Sequence, residues 1–137
     1  MNEQLDLTNF KKAIKSLKKA LDEYAKDTSN EFVRDSCIQR FEYCYDSSKK
    51  MLSRHLKNIG EDDIDGMPLA DIIRLGAKKE LLLHSWDKWV IYKDSRNATS
   101  HGYNESVAIE IVQQTPIFLA ELEGFYEKLE AYYETEF

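Results

Sequence analysis

Residues 10–24 read Phe10-Lys11-Lys12-Ala13-Ile14-Lys15-Ser16-Leu17-Lys18-Lys19-Ala20-Leu21-Asp22-Glu23-Tyr24. Phe10, Ala13, Ile14, Leu17, Ala20, Leu21 and Tyr24 recur at steps of three and four, the spacing of one buried helix face. Lys11, Lys12, Lys15, Lys18 and Lys19 occupy the far side and read as a solvated face in preference to an RNA-binding strip. The pattern predicts a first helix from residue 6 or 8 to residue 26.

The same periodicity continues outward. After the turn Asp27-Thr28-Ser29-Asn30, a second helix is expected to about residue 59, where Gly60 stops it; its seam is Val33, Cys37, Phe41, Cys44, Ser48, Leu52, His55 and Ile59. A third begins near Pro68 with Leu69, Ile72, Ile73 and Leu75, and Gly76 is expected to loosen it. A fourth spans about 79 to 98 and buries Leu82, Leu83, Trp86, Trp89 and Val90. The last starts near residue 105, capped by Asn104, and carries Val107, Ile111, Phe118, Leu122, Phe125, Leu129 and Tyr132, with a kink expected at Pro116. Few glycines and prolines and almost no strand signal make the fold class all-α, a five-helix up-and-down antiparallel bundle. Residues 1–137 form one domain in this reading, with 42% hydrophobic and 32% charged residues placing the chain among globular proteins.

No apolar run approaches the roughly 20 residues of a membrane span, and the first residues lack the pattern of a signal peptide, so a cytoplasmic protein without membrane association is expected. Cys37 and Cys44 lie about 10 Å apart on one helix, beyond disulfide reach, and read as small reduced core residues. The net charge of -6 argues against non-specific coating of nucleic acid. That charge is uneven: residues 104 to 137 hold eight Glu against one Lys, whereas residues 71 to 103 hold six Lys or Arg against four Asp or Glu. Glu61-Asp62-Asp63-Ile64-Asp65-Gly66 starts like a calcium loop, but Pro68 falls inside it and Ile72 stands where a bidentate Glu is required, so it reads as a solvated acidic loop. His55 and His84 stand alone and read as packing or surface residues. No metal site and no cofactor are expected.

Chemistry concentrates in Arg96-Asn97-Ala98-Thr99-Ser100-His101-Gly102-Tyr103. On an unbroken helix Arg96 and His101 project about 140° apart, so a shared site requires a helix end between them, and Thr99, Ser100 and Gly102 are residues that permit one. An Arg beside a His without a metal suits cleavage of an RNA phosphodiester: the neutral imidazole takes the 2'-hydroxyl proton and the guanidinium holds the charge growing on the phosphoryl oxygens. Asn97 adds a hydrogen bond to phosphate or sugar. The blander reading has Arg96 and Asn97 capping a helix and His101 and Tyr103 filling a turn.

Arg96, Asn97, His101 and Tyr103 together, written R-N-x-x-x-H-x-Y, resemble the signature of the HEPN superfamily and specifically of HepT-like proteins. Ile38-Gln39-Arg40-Phe41-Glu42-Tyr43 and the segment Trp89 to Tyr103 look like the branch described as nucleotidyltransferase substrate-binding proteins, over roughly residues 7 to 133. Asp46-Ser47-Ser48-Lys49-Lys50 departs from that branch in being more polar. The resemblance implies a four-helix HEPN core that forms a homodimer with a shared cleft. It also implies a minimal nucleotidyltransferase, encoded by a neighbouring gene, as partner. In HepT-type toxin-antitoxin pairs the HEPN protein is a metal-independent ribonuclease silenced by AMP transfer to the motif tyrosine. Carried over, Arg96 and His101 are catalytic, Asn97 supporting and Tyr103 the modified residue. The alternative is a non-catalytic subunit that binds RNA or nucleotide for the nucleotidyltransferase.

Overall fold

The computed structural model describes residues 4–100 and 104–135. Its α-helices are α1 (Thr8–Lys26), α2 (Glu31–Asn58), α3 (Leu69–Lys78), α4 (Trp86–Ser100) and α5 (Glu105–Thr135), with a single 3-10 turn at Ile64–Gly66 and no strand among the described residues. The all-α, five-helix expectation holds, and no described helix is long and apolar enough to cross a membrane.

Local chemistry sets most of the boundaries. Asn30 caps α2 by accepting from the N–H groups of Phe32 and Val33. At its other end Gly60, at φ 93°, closes the helix while Glu61 N–H reaches back to the Leu56 carbonyl and Gly60 N–H to that of Lys57. Side-chain contacts give the directions. Cys44 Sγ donates to the Ala13 carbonyl and Arg40 Nε to Ser16 Oγ, so α1 and α2 are antiparallel. Ser95 meets Gln114 and Tyr92 meets Glu121, making α4 and α5 antiparallel. Arg34 meets Glu105, and His55 meets Tyr133, so α2 and α5 run side by side in the same sense. The result is an up-and-down bundle of α1, α2, α4 and α5, with α3 packed across α2 and α4.

Phe118 sits at the centre of the core, edge-on to Phe41 and Tyr92 at 5.0 Å each and to Trp89 at 6.1 Å. Such edge-to-face pairs add roughly 0.5–1.5 kcal/mol each beyond area burial. Cys37 and Cys44 are buried free thiols, and burial pushes the Cys44 thiol up to about 12. His55 is buried as well, its Nδ1 2.8 Å from the Tyr133 hydroxyl, which also accepts from Asn58 Nδ2 at 3.0 Å.

Two expectations are corrected. The fourth helix starts at Trp86, not near 79, because α3 ends in a left-handed Glu80 (φ 62°) whose N–H bonds to the Ala77 carbonyl while Leu81 N–H bonds to that of Gly76. The following turn leaves Leu83 60% exposed rather than buried. Gly76 does not loosen α3, which runs on to Lys78; a Cβ there would meet the Leu52 and Leu82 side chains at 3.1–3.2 Å, so this glycine permits close packing. The acidic loop is tied down in part by Lys57 to Asp65 and by Lys79 to Glu61 at 2.6 Å, and Ile64 within it is buried.

Candidate functional site

Trp89 and Tyr92 bury the inner face of α4, and Arg96 falls one turn further along that stripe, which aims its side chain at α2. There Glu42 and Asp46, four residues apart on one helix face, present two carboxylates together. Arg96 Nε and Nη2 donate to Asp46 Oδ1 and Oδ2 at 3.3 and 3.2 Å, a two-pronged contact, and Nη1 lies 3.0 Å from Glu42 Oε2. Nη1 also donates to Thr99 Oγ1 and Ser100 Oγ, at 3.2 and 2.9 Å. The hydrogen bonds to Asp46 raise the Arg96 pKa most; burial, next in size, opposes them, and the charges of Asp46 and Glu42 add to the rise. The side chain stays 23% exposed, so Arg96 is not sealed from the surface.

Thr99 and Ser100 hydroxyls donate back to the Arg96 carbonyl at 2.7 and 3.3 Å, competing with the backbone ladder in the last turn. On the far side of the segment, Asn104 Oδ1 accepts from Val107 N–H at 2.9 Å and caps α5 as expected. α4 is described as far as Ser100 and α5 from Glu105, so the helix end that the Arg96 to His101 spacing requires falls, with His101, outside the described residues. His101 and Tyr103 themselves lie outside the described residues. Asn97 is exposed, and its side chain has no hydrogen-bond partner among the described residues.

Three neighbours went unread in the sequence. Glu42 and Asp46 are separated from Arg96 by about fifty residues, and only the polarity of Asp46-Ser47-Ser48 inside a helical seam hinted at a role. Arg34, buried at the start of α2, places Nη1 3.6 Å from Glu105 Oε1, and its Nε has no partner among the described residues. A lone arginine between the apolar Val33 and Cys37 was the available signal. Arg34 and Arg96 thus bracket the ends of the segment that holds His101 and Tyr103.

A second polar node supports this one from below. Glu121 of α5 is 0% exposed and accepts from the Leu83 N–H at 2.6 Å, the His84 N–H at 3.4 Å and the Tyr92 hydroxyl at 3.5 Å, with His84 Nδ1 at 3.0 Å. It fixes the turn that launches α4 towards α2. Burial, with the nearby Glu121 charge, pushes the Tyr92 hydroxyl pKa well up, and burial first, then Asp46, takes the Tyr45 hydroxyl up to about 12, so both phenols stay neutral.

Residues 5–131 match the family described as nucleotidyltransferase substrate binding protein like. The chain belongs to this family. Among relatives of the nucleotidyltransferase substrate-binding proteins, "Probable ribonuclease HepT" of Haemophilus influenzae is 39% identical over 94 residues, 67% of this chain and 64% of the relative. The alignment thus spans just under two thirds of that relative's length. A solved structure from H. influenzae, described as revealing the fold of a substrate binding domain of a nucleotidyltransferase, superposes with a TM-score of 0.83 at 30% identity and covers 91% of this chain and 99% of that one. Both findings bear out the family resemblance drawn from the Arg96 to Tyr103 motif and the Gln39–Glu42 block.

Proposed function

We propose that this chain is the helical partner of a minimal nucleotidyltransferase in a two-component, toxin-antitoxin-like module and acts as a metal-independent endoribonuclease. The observation that carries the reading is the guanidinium of Arg96, fixed by Asp46 and Glu42 near the end of the described part of α4, five residues before His101 in the sequence. A cation oriented in this way presents a fixed edge to a phosphoryl group, with no ordering left to do at the moment of reaction. The neutral imidazole of His101 takes the proton of an RNA 2'-hydroxyl, whose oxygen attacks the adjacent phosphorus and expels the 5'-oxygen, leaving a cyclic phosphate. The imidazolium returns its proton to the leaving oxygen. Asn97, exposed beside Arg96, supplies a hydrogen bond to phosphate or sugar. Two copies of the chain form a homodimer that brings two motifs to one cleft.

Silencing follows from Tyr103. Its hydroxyl attacks the α-phosphate of ATP on the nucleotidyltransferase and releases pyrophosphate; the added AMP places negative charge and an adenine beside Arg96 and His101 and shuts out RNA. The test is cleavage of a labelled RNA in EDTA before and after incubation with the nucleotidyltransferase and ATP, with the mass of the Tyr103 peptide followed in parallel. Cleavage that is lost as the peptide gains AMP supports the reading; RNA left intact by the unmodified protein sinks it.

One observation favours a second reading. Two carboxylates already engage Arg96, and their charge opposes a phosphate at the same guanidinium. In a non-catalytic subunit that binds RNA or nucleotide for the nucleotidyltransferase, Arg96 serves as the latch of α4 to α2. That reading expects Arg96→Ala to weaken the complex, with no nuclease activity to lose.

A further inference from the structure

The α1–α2 hairpin holds most of the positive charge. Residues 8–58 carry 12 Lys and Arg against seven Asp and Glu, in a chain whose net charge is -6. A groove runs between the two helices, lined on α1 by Asn9, Lys12, Ser16 and Lys19 and on α2 by Arg40, Tyr43, Lys50 and Arg54, among others. Its acids are already engaged. Asp6 accepts from the Thr8 N–H, Glu23 pairs with Lys26 at 2.9 Å, and Asp46 holds Arg96. The cations differ: Lys12, Lys19, Lys50 and Arg54 have no ion-pair partner among the described residues. Arg40 is pinned in the groove wall by Ser16 Oγ at 2.7 Å and the Ser36 carbonyl at 3.3 Å.

Two aromatic rings stand out of the same wall. Phe32 is 87% exposed and Tyr43 57% exposed, the largest fractions among the exposed large side chains apart from Leu83. Eleven residues on one helix put them about 16 Å apart and within about 20° of the same face. Burial would normally claim both rings, so their exposure between unpaired cations needs a use. Bases stack on such rings whatever their identity, while lysine and arginine track the phosphates, which is how single strands are held without sequence preference. The groove also reaches the candidate site, because Asp46 lines it and holds Arg96.

We propose that the α1–α2 groove is the track on which single-stranded RNA lies, with Tyr43 and Phe32 as stacking platforms and Lys12, Lys19, Arg40, Lys50 and Arg54 as phosphate contacts leading the strand to Arg96. The substrate class rests on the ribonuclease reading above; the groove's affinity for a single strand does not. Lys12 and Lys19 of the α1 lysine run, which reads from sequence as a solvated face, stand on one bank of this track.

The test uses the full chain carrying His101→Ala, so that RNA survives, and a fluorescein-labelled 12-mer of single-stranded RNA. Lys50→Glu with Arg54→Glu is expected to weaken binding more than tenfold at low salt and to flatten its salt dependence by about two phosphate contacts. Tyr43→Ala, at an exposed position that leaves the core intact, is expected to weaken binding roughly tenfold with little change in salt slope. Lys78→Glu with Lys128→Glu, two exposed cations away from the groove, is the control and is expected to act weakly. Equal losses in the control pair and the groove pair, or no RNA binding at low salt, overturn the proposal. Loss of nucleotidyltransferase binding in the groove variants with RNA affinity unchanged also overturns it, in favour of a protein surface. In the protein with His101 restored, groove variants that raise KM and spare kcat support both readings. Groove-dependent binding without any cleavage keeps the track and removes the ribonuclease.

Discussion

Arg96 and Glu121 are both charged groups that tie one helix to another, and they are built in opposite ways. Glu121 is wholly buried and is met by backbone N–H groups, an imidazole and a phenol, whereas Arg96 lies at the surface edge and is met by two carboxylates that are themselves partly exposed. A buried charge without its partners is severely penalised, while an exposed ion pair contributes little to stability. The difference assigns Glu121 to the fold and leaves Arg96 free for function. The turn that Glu121 fixes sets the start of α4, and α4 delivers Arg96, so the second node stands on the first.

The largest expected effect breaks the comparison at its buried end. Glu121→Ala strands the Leu83 and His84 N–H groups and should lower stability by about 3–5 kcal/mol, read as a shift of the urea midpoint. Glu121→Gln keeps an acceptor and should lose less. A Glu121→Ala protein as stable as the parent would mean that the turn at 79–85 does not depend on this carboxylate. Next in size, Tyr133→Phe removes the hydroxyl shared by His55 and Asn58 and should lower stability by about 1–2 kcal/mol in the same experiment.

Smaller again is the expected loss of stability in Arg96→Ala, under about 1 kcal/mol, set against loss of cleavage by at least about a hundredfold. Arg96→Lys sharpens the point, since it keeps the charge and loses the two-pronged contact with Asp46; its activity should lie near that of Arg96→Ala. A large drop in melting temperature for either variant, with activity per folded molecule unchanged, would make Arg96 a structural latch.

The smallest effect is in pH. Burial holds the His55 pKa below its ordinary value, so the folded protein keeps this imidazole neutral where the unfolded chain protonates it. Below about pH 6.5 the unfolded state binds the extra proton, and stability falls as pH drops until His55 protonates in the folded state too; above that range the contribution is constant. His55→Phe should flatten this part of the stability profile between pH 7.5 and 5.5, and an unchanged slope would assign it to other groups.

Much of this architecture was legible from apolar spacing, because α1, α2 and α5 bury continuous stripes, and Asn30 and Asn104 at the starts of α2 and α5 and Gly60 at the end of α2 announce themselves locally. The start of α4 was not legible. Leu81 to Ser85 have no strong helix-breaking residue, and what withholds two of their N–H groups from a helix is a carboxylate almost forty residues away. Gly76 misled for a related reason, since its neighbours Leu52 and Leu82 come from other elements. At the site, the motif residue types were readable, but the partners of Arg96 were not, because Glu42 and Asp46 meet it only after α4 folds against α2. Tertiary contacts decided each of these cases.

The proposed function requires that Arg96 and His101 form a metal-independent ribonuclease centre. Its most direct test is the rate of RNA cleavage by the purified chain in EDTA, measured beside His101→Ala and Arg96→Ala of matched folded content. The parent is expected to cleave and both variants to lose activity by at least about a hundredfold. Intact RNA with the parent, or cleavage that survives His101→Ala, would contradict it.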